Sequence, residues 1–298
     1  MISLENVAKR FGATVAVNNI SLRVNQGEIF GLVGPDGAGK TTIIRMLTGV
    51  LRPDSGAITV LGSGNIETVK GDIGYVPQKF SLYGDLTVYE NIRIIGALYG
   101  RTDKEIETLA TEVLAFTKLL PFKDRLADNL SGGMKQKLAL AAGLIHRPKL
   151  FFLDEPTTGV DPVSRREFWH MLYRLNKEGM TIFVSTPYMD EAELCTRVAF
   201  VHNGRIVSCA SPAELRAQYP YKILELRASR KNLRPYLADM VRDINAFGDK
   251  FHLVVDHPLQ AVLAVRERLN ASGIEILSLK EIPPTLEDVF VELAGEVN

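Results

Sequence analysis

The chain has 298 residues, with 35 Lys and Arg against 35 Asp and Glu, so its formal net charge is zero. That balance argues against a nucleic acid or an anionic membrane surface as an obligatory partner, and the length leaves room for two domains or one large domain with an appendage. The two cysteines, Cys195 and Cys209, sit in unrelated contexts; they exclude a disulfide framework and a cysteine metal site, and they suit a reduced cytosolic compartment.

The N-terminus MISLENVAKRFG lacks the apolar core of a signal peptide, and the longest apolar stretches, such as 138–145, fall far short of a membrane span. Alternation over 2–8 and 20–24 predicts two strands. The compact apolar run 29–33 predicts a buried strand, and 43–51 predicts a helix. Between them lies GPDGAGKTT: Gly34, Pro35, Asp36, Gly37, Ala38, Gly39, Lys40, Thr41 and Thr42. A glycine-rich loop between strand and helix wraps its N–H groups around a triphosphate. Lys40 supplies a point charge to the β- and γ-phosphates, the Thr41 hydroxyl ligates Mg²⁺, and the helix start adds its positive end. This is a P-loop, and it predicts nucleotide binding.

Short strands follow at 57–61 and 73–76, the second ending at Pro77-Gln78. From Thr87 to about His146 the apolar spacing is helical, as for an insertion into an α/β core. Residues 149–153 predict a strand running into Asp154-Glu155-Pro156, followed by a helix over 164–178 and a buried strand over 181–184. Strands at 197–202 and 205–209 flank Asn203-Gly204, a two-residue hairpin signal. Strands alternating with helices predict a mostly parallel sheet covered on both faces.

A boundary near Tyr219-Pro220 divides residues 1–218 from a second domain, 219–298. The second domain reads as strand (222–228), helix (233–240), strand (241–246), strand (251–256), helix (259–272), strand (274–281) and a last helix after Pro283-Pro284. That βαββαβ order predicts a small ferredoxin-like α+β domain.

Adjacent carboxylates at a strand end suit a Mg²⁺ ligand followed by a general base for water. An Asp-Glu-Pro helix start is the plainer alternative for Asp154 and Glu155, and the P-loop upstream favours the chemical one. Leu130-Ser131-Gly132-Gly133-Met134 opens a helical stretch with unpaired N–H groups, either an anion-binding end or a serine cap.

With that pentapeptide standing shortly before Lys149, residues 1–218 resemble the ATP-binding cassette ATPases. The resemblance implies a P-loop NTPase cassette with a mostly parallel sheet, an antiparallel N-terminal β subdomain and a helical subdomain at about 87–146, binding ATP and Mg²⁺. LSGGM would be the signature motif, whose Ser131, Gly132 and Gly133 contact the γ-phosphate held by the other cassette of a head-to-tail dimer. Gln78, in YVPQ, would be the Q-loop residue sensing Mg²⁺ and the transporter partner. Asp154 would be the Walker B aspartate, Glu155 the catalytic base, and Asp161, in GVDP, the D-loop aspartate. Phe11, in KRFG, matches the aromatic that stacks on adenine; a core position beside the first strands is its alternative.

The tail PPTLEDVFVELAG, residues 283–295, is similar to that of drug-exporter ATPases of the daunorubicin-resistance kind, which serve type-2 exporter permeases. The implied partners are a second cassette and an integral membrane ABC-2 permease, with no nucleic acid, at the cytoplasmic face of the cell membrane. The stretch after Gln78, with Phe80, Leu82 and Tyr83, would receive a permease helix, unless these are core residues.

Two positions depart from the family pattern. Pro187 stands where the switch histidine belongs, and proline has neither a side-chain donor nor a backbone N–H. Asp36 replaces the usual P-loop asparagine and is expected to face outward. Together they suggest one half of an unequal pair, with a slow site of its own and an intact LSGGM completing its partner's. A homodimer with another group in place of histidine, a soluble ATP-driven clamp and a regulatory nucleotide-binding half are the alternatives.

Overall fold

The computed structural model describes residues 1–295. They divide into two compact units, the first ending at Pro212 and the second beginning at Ala213. The division precedes the expected boundary after 218, because the short helix that ends the cassette-like stretch goes with the second unit; residues 296–298 of the expected second domain lie outside the described residues.

In the first unit, β1 (Ile2–Phe11), β2 (Thr14–Val24) and β4 (Ser55–Val60) form an antiparallel sheet in the order β2-β1-β4. The strands run longer than the alternating stretches predicted, because the β1–β2 turn at Gly12 carries polar and exposed residues into the pairing. The main sheet has the order β5-β6-β7-β3-β8-β9. Its members are β3 (Ile29–Val33), β5 (Ile73–Val76), β6 (Leu150–Asp154), β7 (Thr181–Thr186), β8 (Arg197–His202) and β9 (Arg205–Ala210). All its pairings are parallel except β8–β9, where Asn203 (φ 48°) and Gly204 (φ 73°) form the left-handed two-residue turn that Asn-Gly favours.

The central strands are buried along their whole length and apolar up to their carboxyl ends, as expected of a sheet covered on both faces. Phe30 and Phe183 stack across β3 and β7 with ring centroids 5.3 Å apart, and Ile43, Ile44 and Leu47 of α1 (Lys40–Leu47) close over Phe152 in the same cluster. The helix α1 starts at Lys40 and stops at Leu47, displaced from the expected 43–51, because Gly39 sets its start and Gly49 (φ 75°) its end.

A separate apolar cluster holds the helical stretch together: Val88 and Ile92 of α2 (Val88–Leu98), Leu114 of α3 (Asp103–Phe116), and Leu138 and Ala142 of α4 (Gly132–Leu144). Capping boxes Thr87–Glu90 and Thr102–Glu105 begin α2 and α3. Helix α5 (Pro162–Lys177) precedes β7, and the four-residue α6 (Met189–Ala192) follows it. Among the described residues, no helix is long and apolar enough to cross a membrane.

The second unit contains α7 (Pro212–Ala217), β10 (Lys222–Ala228), α8 (Arg234–Leu237), β11 (Asp243–Phe247), β12 (Lys250–Val255), α9 (Pro258–Ala271), β13 (Ile276–Ile282) and α10 (Leu286–Gly295). Its antiparallel sheet has the order β11-β12-β10-β13, the arrangement of a split βαββαβ fold. The helix expected over 233–240 is a single turn of helix, because Pro235 fits only its start and residues 238–240 continue as a hydrogen-bonded turn.

Candidate nucleotide-binding and hydrolytic site

The carboxyl ends of parallel strands are where open α/β sheets gather ligands. Here β3 ends in the P-loop, β5 runs to Gln78, β6 ends at Asp154, and β7 ends at Thr186 beside Pro187. Asp154 and Ser185 are register partners across β6 and β7, as are Val33 and Thr186 across β3 and β7. Gly34 tolerates no side chain: a Cβ there would stand 2.2 Å from the Val201 carbonyl oxygen. Gly39 (φ 104°) precedes α1 without a side-chain cap, leaving the first-turn N–H groups free to face an anion.

Lys40 is buried, and its Nζ donates to the carbonyls of Gly34 (2.7 Å) and Pro35 (3.0 Å). The same Nζ lies 3.1 Å from Glu155 Oε1, an ion pair with both side chains at least 95% buried. Gln78 Nε2 donates to Glu155 Oε2 at 2.9 Å, and Thr158 Oγ1 approaches that oxygen at 3.4 Å. Thr41 Oγ1 donates to Asp154 Oδ1 at 3.2 Å. Ser185 Oγ donates to that oxygen at 2.7 Å while accepting from the Glu155 N–H at 3.0 Å. One serine therefore sets both carboxylates.

Successive side chains of a strand point to opposite faces. Glu155 escapes that alternation by adopting a left-handed backbone (φ 49°), and both carboxylates reach P-loop residues, Asp154 through Thr41 and Glu155 through Lys40. The helix-start alternative for Asp-Glu-Pro is not what forms, since α5 begins only at Pro162. Burial, and less strongly the charge of Glu155, push the Asp154 carboxyl above its usual range against the Ser185 and Thr41 hydrogen bonds. Asp154 Oδ2 is buried with no hydrogen-bond partner. A hard cation beside it would satisfy that oxygen, and the Thr41 hydroxyl and Gln78 amide oxygen are donors of the type Mg²⁺ takes. The residues fit the metal.

The other sequence-predicted residues lie elsewhere. Pro35, Asp36 and Gly37 are exposed, so Asp36 does face outward; Ala38 is buried, and Thr42 is half-buried. Phe11 is 52% exposed at the end of β1, which removes its core alternative. Phe80 and Leu82 pack partly buried on the helical cluster, and among these three apolar candidates only Tyr83 stands out, at 51% exposure. Ser131 caps α4 by accepting from Met134 N–H (3.3 Å), and Asp161 caps α5 by accepting from Val163 and Ser164 N–H. The tip of α4 lies against the start of α5, where a Cβ on Gly133 would stand 2.6 Å from Ser164 Oγ. Among the described residues, no hydrogen bond or ion pair joins Phe11, Ser131, Gly132, Gly133 or Asp161 to the Lys40–Glu155 cluster. A cavity of about 770 Å³ lined by Phe116, Leu144, Leu175 and Met180 shares no residue with that cluster.

Sequence reasoning missed Ser185, whose only local signal is a polar side chain at the end of an apolar strand. It also missed the Val201 carbonyl beneath Gly34, for which the sequence holds no signal.

Comparison with known proteins places this chain in a family. The Nod factor export ATP-binding protein I of Rhizobium sp. (strain N33) is 38% identical over 304 residues, covering 99% of this chain and 97% of that protein. The chain belongs to the ABC transporter ATP-binding proteins. The ABC transporter family profile matches residues 17–158, and the profile of the ATP-binding protein DrrA1-3-like C-terminal domain matches 211–294. The probable multidrug ABC transporter ATP-binding protein YbhF of Escherichia coli (strain K12) is 39% identical over 308 residues, and the match covers 99% of this chain but 52% of YbhF. The chain thus spans about half the length of that relative. Among solved structures, the dimeric ATP-binding cassette MJ0796 in a post-hydrolysis state with ADP and Pi is similar, with a TM-score of 0.66 and 26% identity over 71% of this chain and 98% of that one. The ABC cassette and the DrrA-like second unit are therefore the two parts of this ATPase-family chain.

Proposed function

We propose that this chain hydrolyses ATP to energise export of a drug or another small hydrophobic cargo through a separate ABC-2 type permease, from the cytoplasmic face of the cell membrane. The observation that carries the reading is the network Lys40–Glu155–Gln78 and Thr41–Asp154–Ser185 at the end of the parallel strands, with Lys40, Glu155, Asp154 and Ser185 buried and Gln78 at its exposed edge. Lys40 and the open N–H groups of α1 would hold the β- and γ-phosphates, Phe11 would stack on adenine, and Glu155 would accept the proton of the attacking water. Thr41, Asp154 and Gln78 would hold Mg²⁺, which when bound would supply charge neutralisation at the phosphates. The export names of the relatives and the DrrA-like second unit support a transport role.

Among the described residues no hydrogen bond or ion pair joins the Ser131–Gly133 tip to its own P-loop network, which supports its service to a second cassette, and the similar MJ0796 cassette is dimeric. Pro187 supports a slow site, since loss of one donor to the reacting phosphate costs about 10²–10³-fold in rate. The match to half of YbhF supports pairing with an unequal cassette, in tandem or as a heterodimer.

Mg-ATP hydrolysis by the full chain tests this. Lys40→Ala should abolish saturable Mg-ATP binding, and Glu155→Gln should bind ATP but not cleave it. Pro187→His should raise turnover. Robust cleavage undiminished by Glu155→Gln would refute the assigned roles.

A further inference from the structure

Glu191 belongs to none of the nucleotide motifs, yet only 1% of it is exposed. Its Oε1 accepts from Thr157 Oγ1 at 2.5 Å and its Oε2 from Thr186 Oγ1 at 2.6 Å, with both threonines buried. Arg165 Nε stands 3.5 Å from Oε1, a charge contact outside hydrogen-bond geometry. Thr186 Oγ1 also accepts from the Tyr188 N–H at 3.1 Å, bracing the loop on both sides of Pro187. The Arg165 guanidinium covers the Tyr188 ring at 4.4 Å.

Each partner belongs to a different element: the loop after β6, the end of β7 and the start of α5. Thr157 lies just after Glu155, Thr186 just before Pro187, and Arg165 in the first turn of α5, its N–H donating to the Asp161 carbonyl at 2.9 Å. A buried carboxylate is costly unless it is hydrogen-bonded and paired. This one gives one oxygen to the loop after Glu155 and the other to the switch loop. Pro187 has no N–H of its own, so the switch loop is held through Thr186 and Tyr188.

We propose that Glu191 is a positioning residue that locks the loop following Glu155 to the loop carrying Pro187, so that general base and switch keep one geometry. The proposal rests on the hydrolytic reading above. Glu191→Gln keeps the shape, because its amide accepts from one threonine and donates to the other. Glu191→Ala leaves two buried hydroxyls without an acceptor.

The test is single-turnover Mg-ATP hydrolysis by the full chain in excess, equilibrium Mg-ATP binding, and hydrogen exchange at residues 157–161 and 185–188. Glu191→Ala should slow cleavage by about 10²-fold, as misplacement of a reacting group does, with ATP affinity unchanged. Exchange protection should fall in both segments together, and Glu191→Gln should restore most of both. Cleavage at the unmodified rate in Glu191→Ala, loosening of only one segment, or no restoration by glutamine would overturn the proposal. If the unmodified chain binds Mg-ATP without cleaving it, the hydrolytic reading fails instead, and the exchange result alone decides the role of Glu191. Should Glu191→Ala not fold, Thr157→Val and Thr186→Val each remove one donor, and each must loosen both segments.

Discussion

Gly133 provides a stringent test of how the signature tip is held. It is buried, and a Cβ there would lie 2.6 Å from Ser164 Oγ, 2.7 Å from Ser164 Cβ and 3.6 Å from Val160 Cγ1. The hydroxyl can rotate away, but Ser164 Cβ is fixed to the backbone of α5. Gly133→Ala therefore has to push α4 from α5, an overpacking cost of about 1–3 kcal/mol. For a unit of this size that corresponds to a fall of about 2–12 °C in Tm. Ser164→Gly alone should cost about 0.5 kcal/mol in helix propensity, and Ser164→Ala little. In combination, Ser164→Gly removes both clashing atoms and should bring Gly133→Ala back to the stability of Ser164→Gly alone. Ser164→Ala leaves the Cβ in place and should rescue nothing. Urea unfolding of the unmodified chain, the three single variants and the two doubles should give a coupling of about 1–3 kcal/mol for the glycine pair and none for the alanine pair. Equal rescue by alanine and glycine, or simple additivity in both, would refute the packing argument.

Gly34→Ala meets the Val201 carbonyl rather than a movable side chain, so it should abolish Mg-ATP binding and lower Tm, which titration and thermal unfolding would show. Phe11→Ala, at a half-exposed position, should leave Tm within about 1–2 °C. It should weaken ATP binding by about 5- to 150-fold if stacking on the base is worth about 1–3 kcal/mol, and unchanged affinity would remove Phe11 from the site. His146 has its Nε2 2.9 Å from the Ile73 carbonyl, a buried Nδ1 without a partner, and the Tyr99 ring stacked 3.7 Å away. Burial pushes its pKa below the ordinary 6.5, so the unfolded chain takes up the proton first. The stability His146 contributes should be complete above about pH 6.5 and decline as pH falls from there through the depressed folded-state pKa. His146→Gln should flatten that decline in urea unfolding; an unaltered slope would refute the assignment.

The elements that carry the chemistry were legible because their signals are local. The five apolar residues 29–33 sit on the central strand as expected, since a strand covered on both faces has no alternation to obscure. Asn203-Gly204 marks its turn by backbone preference alone. The P-loop, Gln78 and Asp154-Glu155 converge because parallel strands bring their ends together. Contacts made across the sheet were not legible. Ser185 reaches Asp154 and Glu155, and Glu191 reaches Thr157, each about thirty residues away, and no local spacing joins those pairs. Phe80 and Leu82 read equally well as groove or core, and the helical cluster settles them as partly buried. The one-turn α8 shows how a proline near a short helix start limits what spacing alone suggests.

The β8–β9 hairpin has a consequence for how this protein is made. Its turn lies under the nucleotide loop: Gly204 N–H donates to the Ala38 carbonyl (3.1 Å), and its carbonyl accepts from Asn18 N–H (2.7 Å). Val201 walls in Gly34. A nascent chain paused shortly after Asp190 already carries each motif proposed to grip a triphosphate, yet it lacks the floor under Gly34 and Ala38. Competence for ATP should therefore arrive late in translation, only after the hairpin leaves the ribosome and docks.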